Sequence, residues 1–138
     1  MIVGIGVDAL EIDRFVLWHL KSVKQLQKIY SEQEISYCLA QPSMSAARFC
    51  VRFAAREALF KALTQAGVIQ IPFLSLCKAM SVGKDRSNVP YIILHSERFS
   101  TQDRKILEQC SILLTLTHSK KIALASVILQ KRYHQPFI

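Results

Sequence analysis

Three arginines recur at every fourth position in Arg48-Phe49-Cys50-Val51-Arg52-Phe53-Ala54-Ala55-Arg56, and Glu57 and Lys61 follow on the same stretch. On a helix Arg48, Arg52 and Arg56 stack along one side, where like charges repel by roughly 0.2–0.5 kcal/mol per pair. A polyanion lying along them turns that repulsion into binding. Glu57 and Lys61 stand four apart in the favourable order. They form either an ordinary surface ion pair or half of a site for a phosphorylated ligand and its metal. Asp8 closes an apolar stretch near the start, and His118 closes a late one among the hydroxyls of Thr115, Thr117 and Ser119. Two carboxylates suit Mg²⁺, which keeps waters and binds through one or two carboxylates plus substrate phosphate. Lysine and arginine hold the remaining phosphate oxygens, and a histidine moves a proton or holds phosphate. The chemistry that fits is attack on a phosphoryl centre, where positioning and charge neutralisation dominate. Plainer roles remain open: Asp8 as a helix N-cap, and His118 satisfied locally at a strand end.

The elements that must position these groups follow from pattern. Arg48 to Leu63 contains no Gly or Pro and is rich in helix formers, so it reads as the middle of one long helix, with Phe49, Phe53, Phe60 and Leu63 toward a core. Ile2 to Asp8 is short and β-branched, which predicts a strand. Gly4 and Gly6 within it mark close approach of another backbone or of a ligand. Ala9 to about Leu20 is expected to be helical, anchored by Leu10, Phe15 and Trp18. Ser31-Glu32-Gln33-Glu34 is a capping box that starts a further helix. Leu74 to Val82 is expected as a strand, and Gly83 to Asn88 as a polar turn. Val89 to His95 is the next strand, and Glu97 to Gln109 an exposed helix. Ile112 to His118 and Ile122 to Leu129 read as a hairpin around Ser119-Lys120-Lys121. Residues from Lys131 on are expected to form a loose tail. The order predicts an α+β fold: a small, mainly antiparallel sheet packed on one long central helix plus shorter helices.

Composition narrows the function classes. The chain has 138 residues, 51% hydrophobic and 20% charged, which predicts one globular domain over residues 1–138. No apolar run reaches the roughly 18 residues of a membrane helix. Asp8, Glu11 and Asp13 interrupt the apolar N-terminus, unlike a secretory signal. The four cysteines, Cys38, Cys50, Cys77 and Cys110, lack metal-ligand spacing and are expected reduced and buried. The net charge of +8 implies an acidic partner without choosing among nucleic acid, lipid, phosphorylated small molecule or protein.

Four groups of residues together resemble the holo-acyl-carrier-protein synthase family. They are Gly4-Ile5-Gly6-Val7-Asp8 with Arg14-Phe15; Tyr30 to Cys38; Arg52 to Ala58 with Lys61-Ala62-Leu63; and Thr115-Leu116-Thr117-His118 followed by Ala123 and Ala125-Ser126-Val127. The resemblance implies a cytoplasmic 4'-phosphopantetheinyl transferase that moves the phosphopantetheine arm of coenzyme A to a serine of apo-acyl carrier protein. The product released is adenosine 3',5'-bisphosphate, and the role is in fatty acid biosynthesis. It further implies Mg²⁺, and a homotrimer with sites at subunit interfaces. By position, Asp8 and Glu57 would ligate the metal, and Lys61 would contact the pyrophosphate. Arg48 and Arg52 would bind coenzyme A phosphate, with Thr117 and His118 in the same site and Gly67 near the loop beyond Lys61. Glu57 or a metal-bound water would take the serine proton. Arg14, Lys21 and Lys24 would face the carrier protein. The chain departs from the family pattern in having Arg56 for a lysine, Val51 for a glycine, Thr64-Gln65-Ala66-Gly67 for a Gly-Thr-Gly-like loop, Ser87-Asn88-Val89-Pro90 for Asn-Gly-Lys-Pro, and Ile122 for an aromatic. Two other classes compete: a basic nucleic-acid-binding module, which lacks an aromatic-and-basic platform, and a Mg²⁺-dependent phosphodiesterase. The family reading implies neither nucleic acid nor membrane as partner.

Overall fold

The computed structural model describes residues 1–133, and the expected long helix runs in it from Ser45 to Ala66 (α3). Gly67 stops it in the left-handed conformation, φ 63° and ψ 20°, with its N–H donating to the carbonyls of Leu63 and Thr64. The chain runs through β1 (Ile2–Glu11), 3-10 turns at Ile12–Phe15 and Trp18–Leu20, α1 (Val23–Leu26), α2 (Glu32–Leu39) and α3. It continues through α4 (Phe73–Lys78), β2 (Met80–Lys84), β3 (Pro90–Leu94), α5 (Thr101–Glu108), β4 (Cys110–His118) and β5 (Ile122–Lys131). The fold is α+β. Its strands form two antiparallel sheets, β1-β5-β4 and β2-β3, and α3 lies across the larger one.

Alternation decides which residues meet α3. Ala123, Ala125, Val127 and Leu129 of β5 are buried. In register with them lie Leu10, Asp8, Gly6 and Gly4 of β1, and His118, Leu116, Leu114 and Ile112 of β4. Directly opposed residues point to the same side of a sheet. Asp8 and His118 therefore share the helix-facing side. The glycines permit the contact. A Cβ on Gly6 would stand 1.8 Å from the carbonyl oxygen of Ala58, and one on Gly4 2.3 Å from that of Ala62. The close approach is thus to the backbone of α3 and not to a ligand.

A buried ion pair joins α3 to the shorter helices. Arg56, fully buried, donates to both carboxylate oxygens of Glu34 at 2.9 and 2.6 Å. Its Nε donates to Ile29 O at 2.8 Å and its Nη2 to Met80 O at 3.2 Å. Glu34 is also the reciprocal member of the Ser31 capping box, as the sequence pattern requires. One carboxylate therefore starts α2 and locks it to α3. All four cysteines are free and buried.

Several expected elements differ. β1 continues through Ala9, Leu10 and Glu11, which pair with Leu124, Ala123 and Ile122, so the expected helix over Ala9 to Leu20 is reduced to the two 3-10 turns. Ladder pairing to β5 overrides local propensity there. Phe15 and Trp18 still act as anchors, stacking with Phe53 at 5.6 and 5.9 Å between centroids. Asp8 is consequently mid-strand and caps nothing. The expected strand over Leu74 to Val82 is helical as far as Lys78, because Phe73 seats against Phe53 and Phe60 at 5.7 and 5.6 Å. The helix expected from Glu97 begins at Thr101, where the Ser100 hydroxyl accepts from the Asp103 N–H at 3.1 Å. Lys131 pairs with Cys110, and the Arg132 N–H donates to Gln109 O at 2.7 Å, so the loose tail does not begin there. Residues 134–138 lie outside those described.

Removing one partner of the buried pair strands the other charge, a loss of roughly 3–5 kcal/mol. Glu34→Ala is expected to lower the urea-unfolding free energy by about that much; an unfolding curve matching the wild type would contradict the role given to the pair.

Candidate active site

Asp8 projects from β1 toward α3, and Lys61 comes to meet it from the helix. Lys61 Nζ donates to Asp8 Oδ1 and to Val7 O, each at 3.0 Å. The ion pair within α3 between Glu57 and Lys61 that the spacing suggests does not form, because the edge of β1 offers Lys61 a backbone carbonyl and a better-buried carboxylate. The Asp8 side chain is only 12% exposed. Its Oδ2 is buried without a hydrogen-bond partner.

Glu57, half-buried one turn before Lys61, completes this corner. Burial pushes its carboxyl above the usual carboxylate range, and the negative charge of Asp8 pushes the same way; Lys61 and Arg14 pull against them. Arg14, expected on a partner-facing surface, is exposed and also feeds its charge into this corner. The donor set fits Mg²⁺. Two neighbouring carboxylates, one with an orphaned buried oxygen, suit a hard cation that completes its shell with water and phosphate oxygens. No group of three His, Cys, Asp or Glu able to hold a metal occurs among the described residues.

A second region lies along the N-terminal half of α3. A cavity of about 410 Å³ is lined by Arg48, Arg52, Lys84, Thr117, His118 and Tyr37, among others, and by no Asp or Glu. Val51 lines it too, filling the place where the family pattern has glycine. Arg52 is 4% exposed; its Nη1 reaches only Arg48 O at 3.4 Å, and its Nε has no partner. A buried cation without a carboxylate is costly unless an anion joins it. Arg48 is held by Tyr37 O at 2.7 Å and Gln41 Oε1 at 3.1 Å. The arginine row therefore divides: Arg48 and Arg52 serve this cavity, whereas Arg56 is spent on Glu34 in the core.

His118 stands at the cavity wall, exposed, with Nδ1 3.2 Å from Ser119 O. It is two strands and two residues away from Asp8 in register. That places the two Cα atoms roughly 12 Å apart. The structure thus brings Asp8, Glu57 and Lys61 together and sets His118 with Arg48, Arg52 and Thr117 in a separate cavity. Gly67 acts as the helix stop. Lys21 precedes α1, its Nζ 5.2 Å from the Trp18 ring centroid, and Lys24 is exposed on α1. Sequence reasoning missed the site roles of Lys84, placed in a polar turn, and of Tyr37, which lies within the Tyr30 to Cys38 group but shows no chemistry by its spacing. It also missed Gln65, whose Oε1 accepts from the Ile5 N–H at 2.7 Å and, with Lys61, covers the free edge of β1.

Known proteins resemble the chain over most of its length. A family model described as the 4'-phosphopantetheinyl transferase superfamily matches residues 4–125. A holo-[acyl-carrier-protein] synthase of Treponema denticola is 35% identical over 132 residues, covering 94% of this chain and 99% of that protein. A solved holo-(acyl-carrier-protein) synthase of Bacillus anthracis, in complex with CoA (3',5'-ADP), superposes with a TM-score of 0.70 at 29% identity, covering 96% of this chain and 99% of the other. The acyl carrier protein synthase of Mycobacterium tuberculosis gives a TM-score of 0.68 at 25% identity, covering 96% of this chain and 100% of the other.

The raised proton affinity of Glu57 has a stability consequence. A group whose folded-state pKa lies above its unfolded value favours folding at acid pH, and that contribution is lost as pH rises through the folded pKa. In EDTA, Glu57→Gln is therefore expected to melt higher than wild type at pH 8, with the gain vanishing toward pH 4. Equal melting differences at both pH values would exclude the proposed strain.

Proposed function

The chain belongs to the 4'-phosphopantetheinyl transferase superfamily, among its holo-[acyl-carrier-protein] synthases, and we propose from this that it transfers 4'-phosphopantetheine from coenzyme A to a serine of apo-acyl carrier protein with Mg²⁺. The observation that carries the reading is the Asp8–Glu57–Lys61 corner beside an all-cationic cavity. Arg48, Arg52 and His118 hold the phosphates of the nucleotide end. Lys61 holds the pyrophosphate. Asp8 and Glu57 would hold the metal, which would supply positive charge against the pyrophosphate oxygens. The serine hydroxyl forms a bond to the phosphorus bearing pantetheine, and the bond from that phosphorus to the bridging oxygen breaks. The leaving group is adenosine 3',5'-bisphosphate. Glu57 is one candidate base for the serine proton.

The surroundings support the rest of the reading. The carrier protein is an acidic partner for Arg14, Lys21 and Lys24, beside which Leu17 and Leu20 are exposed. The face of the larger sheet turned away from α3 is open and apolar: Ile5, Val7 and Leu113 are 50%, 49% and 52% exposed. Such a face favours burial against further copies, in keeping with a homotrimer whose sites lie between subunits. No helix among the described residues is long and apolar enough to cross a membrane. We place the enzyme in the cytoplasm, as a single transferase domain supplying fatty acid biosynthesis.

Apo-carrier protein is expected to gain the phosphopantetheine mass with coenzyme A and Mg²⁺, and not with EDTA. Asp8→Ala and Glu57→Ala are each expected to lose more than about 100-fold in transfer while remaining folded. No mass gain with several carrier proteins would overturn the assignment, and retained transfer by both variants would overturn the metal site.

A further inference from the structure

The cationic cavity poses a physical problem. Arg48, Arg52 and Lys84 crowd one wall, and the cavity lining contains no carboxylate to hold them. What they share is Tyr37, on the last turn of α2. The Cζ of Arg48 lies 3.9 Å from the Tyr37 ring centroid, and that of Arg52 4.4 Å. Lys84 Nζ lies 5.6 Å from the centroid and 3.5 Å from the phenol oxygen. The backbone of the same residue accepts from Arg48 Nη1 at 2.7 Å.

Resting on the transferase reading, we propose that Tyr37 is the positioning residue of the coenzyme A phosphate site: its ring gathers Arg48, Arg52 and Lys84 without neutralising them. An aromatic face attracts cations through its quadrupole, so it fixes guanidinium groups and leaves their full charge for the ligand. A carboxylate in the same place would fix them more strongly and cancel a charge that the phosphates need. The burial of Arg52 sharpens the point, since it has no ion-pair partner among the described residues and one unpaired nitrogen. Charge around the phenol is concordant. Partial burial raises the Tyr37 pKa, yet Lys84, Arg48 and Arg52 together bring it below the usual phenol value. Tyr37 needs no contact with the reacting atoms to act in this way.

The role predicts a split between binding and turnover. Tyr37→Leu removes the ring and is expected to raise both the KM and the calorimetric Kd for coenzyme A by about tenfold. The kcat is expected to change by less than about twofold, because the ring acts on binding alone. Tyr37→Phe keeps the ring and should restore affinity. Tyr37→Glu should bind worse than Tyr37→Leu, because its charge cancels one of the cations. Melting temperatures measured alongside separate a folding defect from a site defect, and Tyr37→Phe against Tyr37→Glu keeps the comparison decisive if Tyr37→Leu melts early. Wild-type affinity in Tyr37→Leu, equal losses in the Leu and Phe variants, or tight binding by the Glu variant would each overturn the proposal. A wild-type enzyme without transferase activity would instead overturn the reading beneath it.

Discussion

The geometry of the site hangs on the pairing of Arg56 with Glu34. This guanidinium sits where α2, α3, α4 and β2 converge, and it bonds to a side chain or a carbonyl from each neighbourhood. A buried pair of this kind is poor evidence of net stability, since desolvation offsets most of the attraction. Its value lies in fixing one arrangement. A fork of five donors accepts few placements of its partners, so α2 has one orientation on α3. Tyr37 follows Glu34 by one turn of that helix, and the arginines that Tyr37 gathers precede Arg56 on α3. A core ion pair thus sets the spacing of a cation cluster that it meets at the backbone carbonyl of Arg52.

The other half of the site depends on a different constraint, the close contact of β1 and α3. With no Cβ at Gly4 or Gly6, the strand comes within reach of the helix backbone. Lys61 then spans from α3 to the strand edge, and Glu57 comes near enough to Asp8 for that charge to raise its proton affinity, second to burial. The two halves share α3 as a common ruler. Its 22 residues carry Arg48 and Arg52 to the cationic cavity and Glu57 and Lys61 to the acidic corner.

Much of this was legible in the residues. The long helix, the capping box at Ser31 and the late hairpin follow from propensity and turn chemistry, which are local. The glycines of β1 announced a close approach, though only the folded chain names the carbonyls of Ala58 and Ala62 as the object. The failures are non-local. Nothing within Ala9 to Glu11 says that β5 will pair with it, and helix-compatible residues were drawn into a strand. Leu74 to Lys78 reads as strand by its apolar residues, but the packing of Phe73 on Phe53 and Phe60 makes a helix turn the better fit. In the site, equal spacing made three arginines look alike. Burial beside Glu34 singled out Arg56, and spacing carries no information on burial. Lys61 likewise had a near partner in sequence and took a distant one.

The seam between β1 and α3 is built from the smallest residues available: Gly4 and Gly6 on one side, and Ala58, Ala62 and Ala66 on the other, with Ala58 and Ala62 wholly buried. Every position in it can change only by growing. Growth there forces strand and helix apart and opens the acidic corner, so the chemical step has almost no room to drift. The cationic cavity leaves more room, since Asn88 in its lining is exposed and Pro90 only half-buried. An enzyme arranged in this way can be retuned for its donor while its reaction stays the same.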